Sequence, residues 1–189
     1  MLIGLSSSQG QGKTTVLSSL REYGVSIIPI NTARSILREW SISLSDLERD
    51  PDMRIKFQDR LISDHHKALL ESDSRINTTL VERTFADIFV YTLLSLGAFN
   101  EYSSWLDEYF EKCKEYQKAF AKVILLEGID ASDIKNDGVR STNQHFVRVV
   151  QQSVKHYVFD MSESDNNVIH INTSNHDERI QKILAGIYR

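Results

Sequence analysis

Nine residues, Ser7-Ser8-Gln9-Gly10-Gln11-Gly12-Lys13-Thr14-Thr15, follow a short apolar run and precede a helical pattern. Against Gly-x-x-x-x-Gly-Lys-Ser/Thr, the phosphate-binding loop pattern, Gly12, Lys13 and Thr14 fit, and Ser7 holds the first glycine position. Glycines in a strand-to-helix turn let successive backbone N–H groups converge on one anion, beside the positive end of the helix. Lys13 then reaches the β- and γ-phosphates of ATP and the Thr14 hydroxyl holds Mg²⁺, with Gly10, Gln11 and Thr15 completing the cradle. A second constellation, Glu82-Arg83-Thr84, closes a later apolar run. Its carboxylate could take a proton from an acceptor hydroxyl, or hold Mg²⁺ through water. Its guanidinium could offset charge on a group in transfer. A strand-end salt bridge is the plainer alternative.

Glu127 and Asp130 follow another apolar run and form a second candidate acid pair, for metal or for acceptor hydroxyls. Arg34 and Arg38 are four apart and share a helical face, where one could meet an acceptor. Arg140 follows a stretch containing Asp130, Asp133, Asn136, Asp137 and Gly138, a composition suited to a mobile lid and equally to an exposed turn. Phe85 or Tyr91 could stack on an acceptor base. His65 and His66 are adjacent in a helical pattern and diverge by about 100°, which favours packing or solvation over one shared metal. Cys113 reads as core.

These groups need a scaffold. Apolar runs at Leu2–Leu5, Val25–Ile30, Thr78–Val81, Val123–Leu126 and Val168–Ile171 read as strands. Between them, helical spacing spans Thr14–Tyr23, Thr32–Trp40, Asp50-Pro51 to about Glu71, Phe85–Leu96, Tyr102–Phe120 and Thr142–Phe159. Ser174-x-x-Asp177 resembles a cap opening a last helix. Strands this apolar, alternating with helices, imply a parallel sheet covered on both faces, with ligands beyond the strands' carboxyl ends.

The chain has 189 residues, 41% hydrophobic and 25% charged, which suits one folded domain. The opening residues lack a basic stretch and read as a strand rather than a signal peptide. No apolar run approaches the roughly 20 residues that span a bilayer. One cysteine excludes an internal disulfide framework and points to a reducing, cytoplasmic setting. A formal charge of −4 offers no bulk attraction to nucleic acid, although Arg34, Arg38, Arg54, Lys56 and Arg60 could line a basic groove.

The phosphate loop, then Glu82-Arg83-Thr84 with Asp87 further on, resembles the deoxyribonucleoside kinases. The wider pattern is similar to the nicotinamide riboside kinase-like, AAA_28-type P-loop proteins of bacteria and phages. Where that group carries Pro-Glu-x-x-Arg after the second strand, this chain has Pro29-Ile30-Asn31-Thr32-Ala33-Arg34, and Asp137-Gly138-Val139-Arg140-Ser141 resembles that group's lid segment. The resemblance implies Asn31, Arg34 and Asp87 on the acceptor side and Arg140 on the phosphates. It also implies Asn172 and Thr173 beside the adenine.

The expectation is a three-layer α/β sandwich with a five-stranded parallel sheet, one P-loop kinase domain over 1–189. Acceptor-binding helices lie at about 32–71 and a lid at about 129–142. The expected chemistry is transfer of the γ-phosphate of Mg-ATP to a small nucleoside, nucleotide or related hydroxyl or phosphate acceptor. Lys13, Glu82, Arg83 and Arg140 are the catalytic candidates, with Thr14 and Glu82 for the metal. Two alternatives stay open: a kinase acting on a hydroxymethylated pyrimidine in phage DNA, and a nucleotide-dependent regulatory ATPase or switch that binds a protein partner.

Overall fold

The computed structural model of the chain describes residues 1–28, 33–72, 78–97, 99–133 and 143–188. In chain order the elements are β1 (Leu2–Ser6), α1 (Lys13–Glu22), β2 (Ser26–Ile28), α2 (Ala33–Trp40), α3 (Leu44–Arg49), α4 (Pro51–Glu71), β3 (Thr79–Glu82), α5 (Phe85–Leu96), α6 (Ser103–Gln117), β4 (Lys122–Glu127), α7 (Gln144–Met161), β5 (Val168–Asn172) and α8 (His176–Ile187). The five strands form one sheet in the order β2-β3-β1-β4-β5, every pair parallel. Each strand therefore ends at the same edge, and the order reverses about β1, where a ligand crevice is expected.

Alternation along the strands sorts the core into two layers. Ile3, Leu5, Leu80, Ile124, Leu126 and Ile171 pack against Val16, Leu17 and Leu20 of α1 and Ile180 and Ile183 of α8. Val81, Val123 and Leu125 face the other way, against α4, α5, α6 and α7. Each such side chain, removed from water, contributes about 1.5–3 kcal/mol. A smaller cluster of Ile36, Leu47 and Phe57 joins α2, α3 and α4. The three-layer parallel sandwich expected from the alternating runs is the observed fold.

The local signals act as the physics of capping requires. Asp50 accepts a hydrogen bond from the Met53 N–H at 3.0 Å ahead of Pro51, which starts α4. Gly24, at φ +75°, follows the end of α1. Two readings need correction. The cap of α8 is Asn175, not Ser174: its side chain accepts from the Glu178 N–H at 2.9 Å. A short helix, α3, fills the stretch before Asp50; its capping box, Ser43 with Asp46, was present in the sequence but too short to register as a period.

Candidate functional site

The loop between β1 and α1 holds its shape through two left-handed residues, Gly10 at φ +79° and Gly12 at φ +74°. Gly12 is the N-cap residue of α1 and brings no side chain to its first-turn N–H groups. α3, α4, α5, α7 and α8 are each capped by a side chain, whereas α1 shares the lack of one with α6 and differs from it in the two left-handed glycines before it. The start of α1 is thus left to an outside acceptor, the arrangement that suits an anion. Ser7, at the position where the pattern has glycine, has no left-handed φ, so a side chain costs nothing there. It is fully buried, and its hydroxyl joins the site: the Lys13 ammonium donates to Ser7 Oγ at 2.7 Å, to Ser7 O at 2.6 Å and to Ser8 O at 3.2 Å. Lys13 is buried, whereas Thr14 and Thr15 are exposed on the first turn.

β3 brings the second constellation alongside. Glu82 is in register with Leu5 of β1 and is half-buried. The Arg83 N–H donates to Leu5 O at 3.0 Å, and Arg83 sits at φ +81°, a left-handed conformation that costs a large side chain about 1–3 kcal/mol. Such stored strain clusters at functional sites. The Arg83 guanidinium lies over the Tyr91 ring, 5.5 Å from its centroid, and the Tyr91 hydroxyl accepts the Gln9 N–H at 3.1 Å. Tyr91 is thereby committed to the protein rather than to a base. Phe85 has no exposed surface and packs edge-on against His65 and Tyr116, which removes it as a base-stacking platform.

Asp87 differs from its expected place against an acceptor. It has no exposed surface, it accepts from the Ser6 hydroxyl, and it closes a capping box with Thr84. Burial pushes its carboxyl above the ordinary value, with the charges of Lys13 and Arg83 and these hydrogen bonds opposing. It reads as a support under the loop. Glu127 and Asp130 also part company. Glu127 alternates onto the face of Val123 and Leu125 and meets His170 and, at 3.5 Å, Lys155. Asp130 accepts from the Ser132 N–H and hydroxyl at 2.9 and 2.8 Å, which holds its carboxyl below the ordinary range. Arg34 is exposed on the first turn of α2. Asn31 and Arg140 lie outside the described residues. The basic groove is broken: Arg54 is buried and donates to the carbonyls of Leu47, Glu48 and Ser95, and Arg60 is paired with Asp64 and Glu39.

Two residues missed in the sequence, Arg179 and Gly128, complete the site. Arg179, in the first turn of α8, is 2% exposed and forks onto three carbonyls, Thr173 O at 2.5 Å, Gln11 O at 2.6 Å and Glu127 O at 2.7 Å. It joins the phosphate loop to the ends of β4 and β5. Gln11 adds a second tie, donating to Ile129 O at 2.8 Å and accepting from Ile129 N–H at 3.0 Å. Gly128, at φ +105°, permits the closeness: a Cβ there would stand 2.5 Å from the Thr173 backbone. Asn172 and Thr173 therefore sit at the loop's flank, with Thr173 Oγ1 held on Glu178 at 2.7 Å. Elsewhere, in the core of α4, the buried Gln58 Oε1 has no partner among the described residues. Its signal was a polar residue on the buried stripe of α4, between Phe57 and Ile62.

A family model describing an AAA domain matches residues 3–179. The chain belongs to this family. Among solved structures, the AAA domain chain is similar to deoxyadenosine kinase from M. mycoides with bound dATP, at a TM-score of 0.73 and 16% identity, each chain covered in full. It is also similar to NadR protein in complex with NR, at 0.69 and 13%, over 100% of this chain and 52% of that one. Thymidylate kinase from Candida albicans follows at 0.64 and 13%, over 99% and 90%. Curated proteins provide no match. At these identities the shared property is the fold, that of P-loop kinases. No described helix of the AAA domain chain is long and apolar enough to cross a membrane.

Proposed function

We propose that the protein is a Mg-ATP-dependent kinase that phosphorylates a small nucleoside, nucleotide or related acceptor. The observation that carries this reading is the adjacency of two different chemistries on neighbouring strands. The uncapped glycine loop after β1 stands beside the Glu82-Arg83 pair at the end of β3, and the Arg83 N–H is bonded to Leu5 O. A nucleotide switch needs only the first. The named neighbours are consistent with the second: one solved with bound dATP is called a deoxyadenosine kinase.

In this mechanism the loop N–H groups and the α1 dipole hold the outer phosphates. Lys13 leaves the Ser7 and Ser8 carbonyls and follows the γ-phosphate. Glu82 receives the proton of the acceptor hydroxyl, while Arg83, with Arg34, offsets the charge of transfer. Thr14 and Glu82 are hard oxygen donors at the loop's mouth and suit Mg²⁺, which keeps few protein ligands; when bound, the ion neutralises phosphate charge. The roles of Asn31 and Arg140, and a lid at about 129–142 that excludes water, rest on the sequence pattern. Asn172 and Thr173 border the base. With Arg54 and Arg60 engaged within the protein, a small acceptor is favoured over polymeric DNA. Incubation with ATP, Mg²⁺ and a panel of deoxyadenosine, nicotinamide riboside and thymidylate tests the reading: ADP formation should require an acceptor, and acceptor-independent hydrolysis alone would overturn it.

A further inference from the structure

We propose that Tyr91 is a positioning residue that links the phosphate-binding loop to the acceptor-side arginine, so that nucleotide held at residues 7–15 is felt in the turn at residues 82–85. The inference rests on the nucleotide-binding reading of that loop and goes beyond it. One rigid side chain touches both halves of the site. Its hydroxyl accepts the Gln9 N–H at 3.1 Å, near the crest of the loop. Its ring lies under the Arg83 guanidinium, 5.5 Å from centroid to Cζ, within the range of cation–π attraction.

The Arg83 end is poised to respond. Its backbone is left-handed at φ +81° and is pinned by the bond from its N–H to Leu5 O. The guanidinium is the remaining freedom, and the Tyr91 ring constrains it. The Gln9 end belongs to the loop whose Ser7 and Ser8 carbonyls Lys13 gives up for phosphate in the proposed mechanism. A tyrosine has two side-chain torsions, so movement of its hydroxyl is transmitted to its ring rather than lost along a flexible chain. Tyr91 is partly buried, and burial pushes its phenol above the ordinary value.

Hydrogen exchange followed by mass spectrometry reads the link without knowledge of the acceptor. The full chain is compared with and without Mg²⁺ and adenylyl imidodiphosphate, in the wild type and in Tyr91→Phe, which keeps the ring and removes only the hydroxyl. In the wild type the analogue should slow exchange in residues 7–13 and, by about tenfold, in residues 82–85. In Tyr91→Phe the first effect should persist and the second should fall below about twofold. Wild-type protection confined to the loop would overturn the inference with no variant needed, as would equal protection of the turn in both proteins. Absence of protection in the loop itself marks a different failure, that of the nucleotide reading, and takes the inference with it.

Discussion

Replacing Arg179 isolates the energetics of the nucleotide loop's anchorage. The guanidinium makes three short bonds to carbonyls of three separate segments, the phosphate loop and the ends of β4 and β5, and is 2% exposed. Hydrogen bonds from a charged group contribute about 1.5–3 kcal/mol each, so the gross loss in Arg179→Leu is roughly 5–9 kcal/mol. Removing a buried cation returns several kcal/mol of desolvation, consistent with burial lowering the Arg179 pKa from its ordinary value. The net destabilisation expected is about 3 kcal/mol. For a chain of this size each kcal/mol shifts Tm by about 2–4 °C, giving roughly 6–12 °C. Arg179→Lys is the sharper probe. It keeps the charge but loses the planar fork, so it cannot serve three carbonyls in one plane, and it should lose about 2 kcal/mol. Because Gln11 O is one of the three, both variants should also bind Mg-ATP about tenfold more weakly. Thermal melts and calorimetric titration of the folded variants measure the two effects separately. Wild-type melting and wild-type affinity in Arg179→Lys would refute the reasoning.

Further predictions concern individual side chains. Glu82→Gln keeps the shape of the half-buried strand end and should lower turnover by about 10²–10⁴, with a much smaller loss of Mg-ATP affinity from its share in the metal; undiminished turnover removes Glu82 as the base. Asp87→Asn should lower stability by about 1–3 kcal/mol with little change in acceptor KM, because the carboxylate serves Ser6 and Thr84; a raised KM at unchanged Tm would return Asp87 to the acceptor. Burial holds His65 at about 3, below its ordinary 6.5, with the Arg83 charge acting the same way and a backbone hydrogen bond opposing. The unfolded chain binds that proton below pH 6.5 and the folded chain only near 3. Its contribution is therefore complete above pH 6.5 and is lost by about 1.4 kcal/mol per unit as pH falls through that window. His65→Phe should flatten the acid limb of denaturation; a limb parallel to the wild type contradicts this.

What the sequence carried was local. Alternating apolar runs located all five strands, and Asp50-Pro51 and Phe85–Leu96 marked helices, because capping and periodicity act within one or two turns. Ser43 and Asn175 show the limit: several small polar residues stood near each helix start, and only the backbone selects which one caps. The loop's elements could be read from Gly12, Lys13 and Thr14. Its anchorage could not, since Arg179 lies 168 residues from Gln11 and Ile129 lies 118. Glu127 had the right type and place in the chain, but strand alternation turns it towards His170 and Lys155. Tyr91 is legible in the sequence as an aromatic near Glu82; its partners, Gln9 and Arg83, emerge only when β1 and β3 pair.

The claim beneath the whole account is that the loop after β1 grips polyphosphate through its amides and Lys13. Calorimetric titration of AMP, ADP and ATP with Mg²⁺, into the wild type and Lys13→Ala, tests it most directly. Affinity should climb with each added phosphate in the wild type and lose that climb in Lys13→Ala. Equal affinity for the three nucleotides, or an ATP affinity indifferent to Lys13, would contradict it.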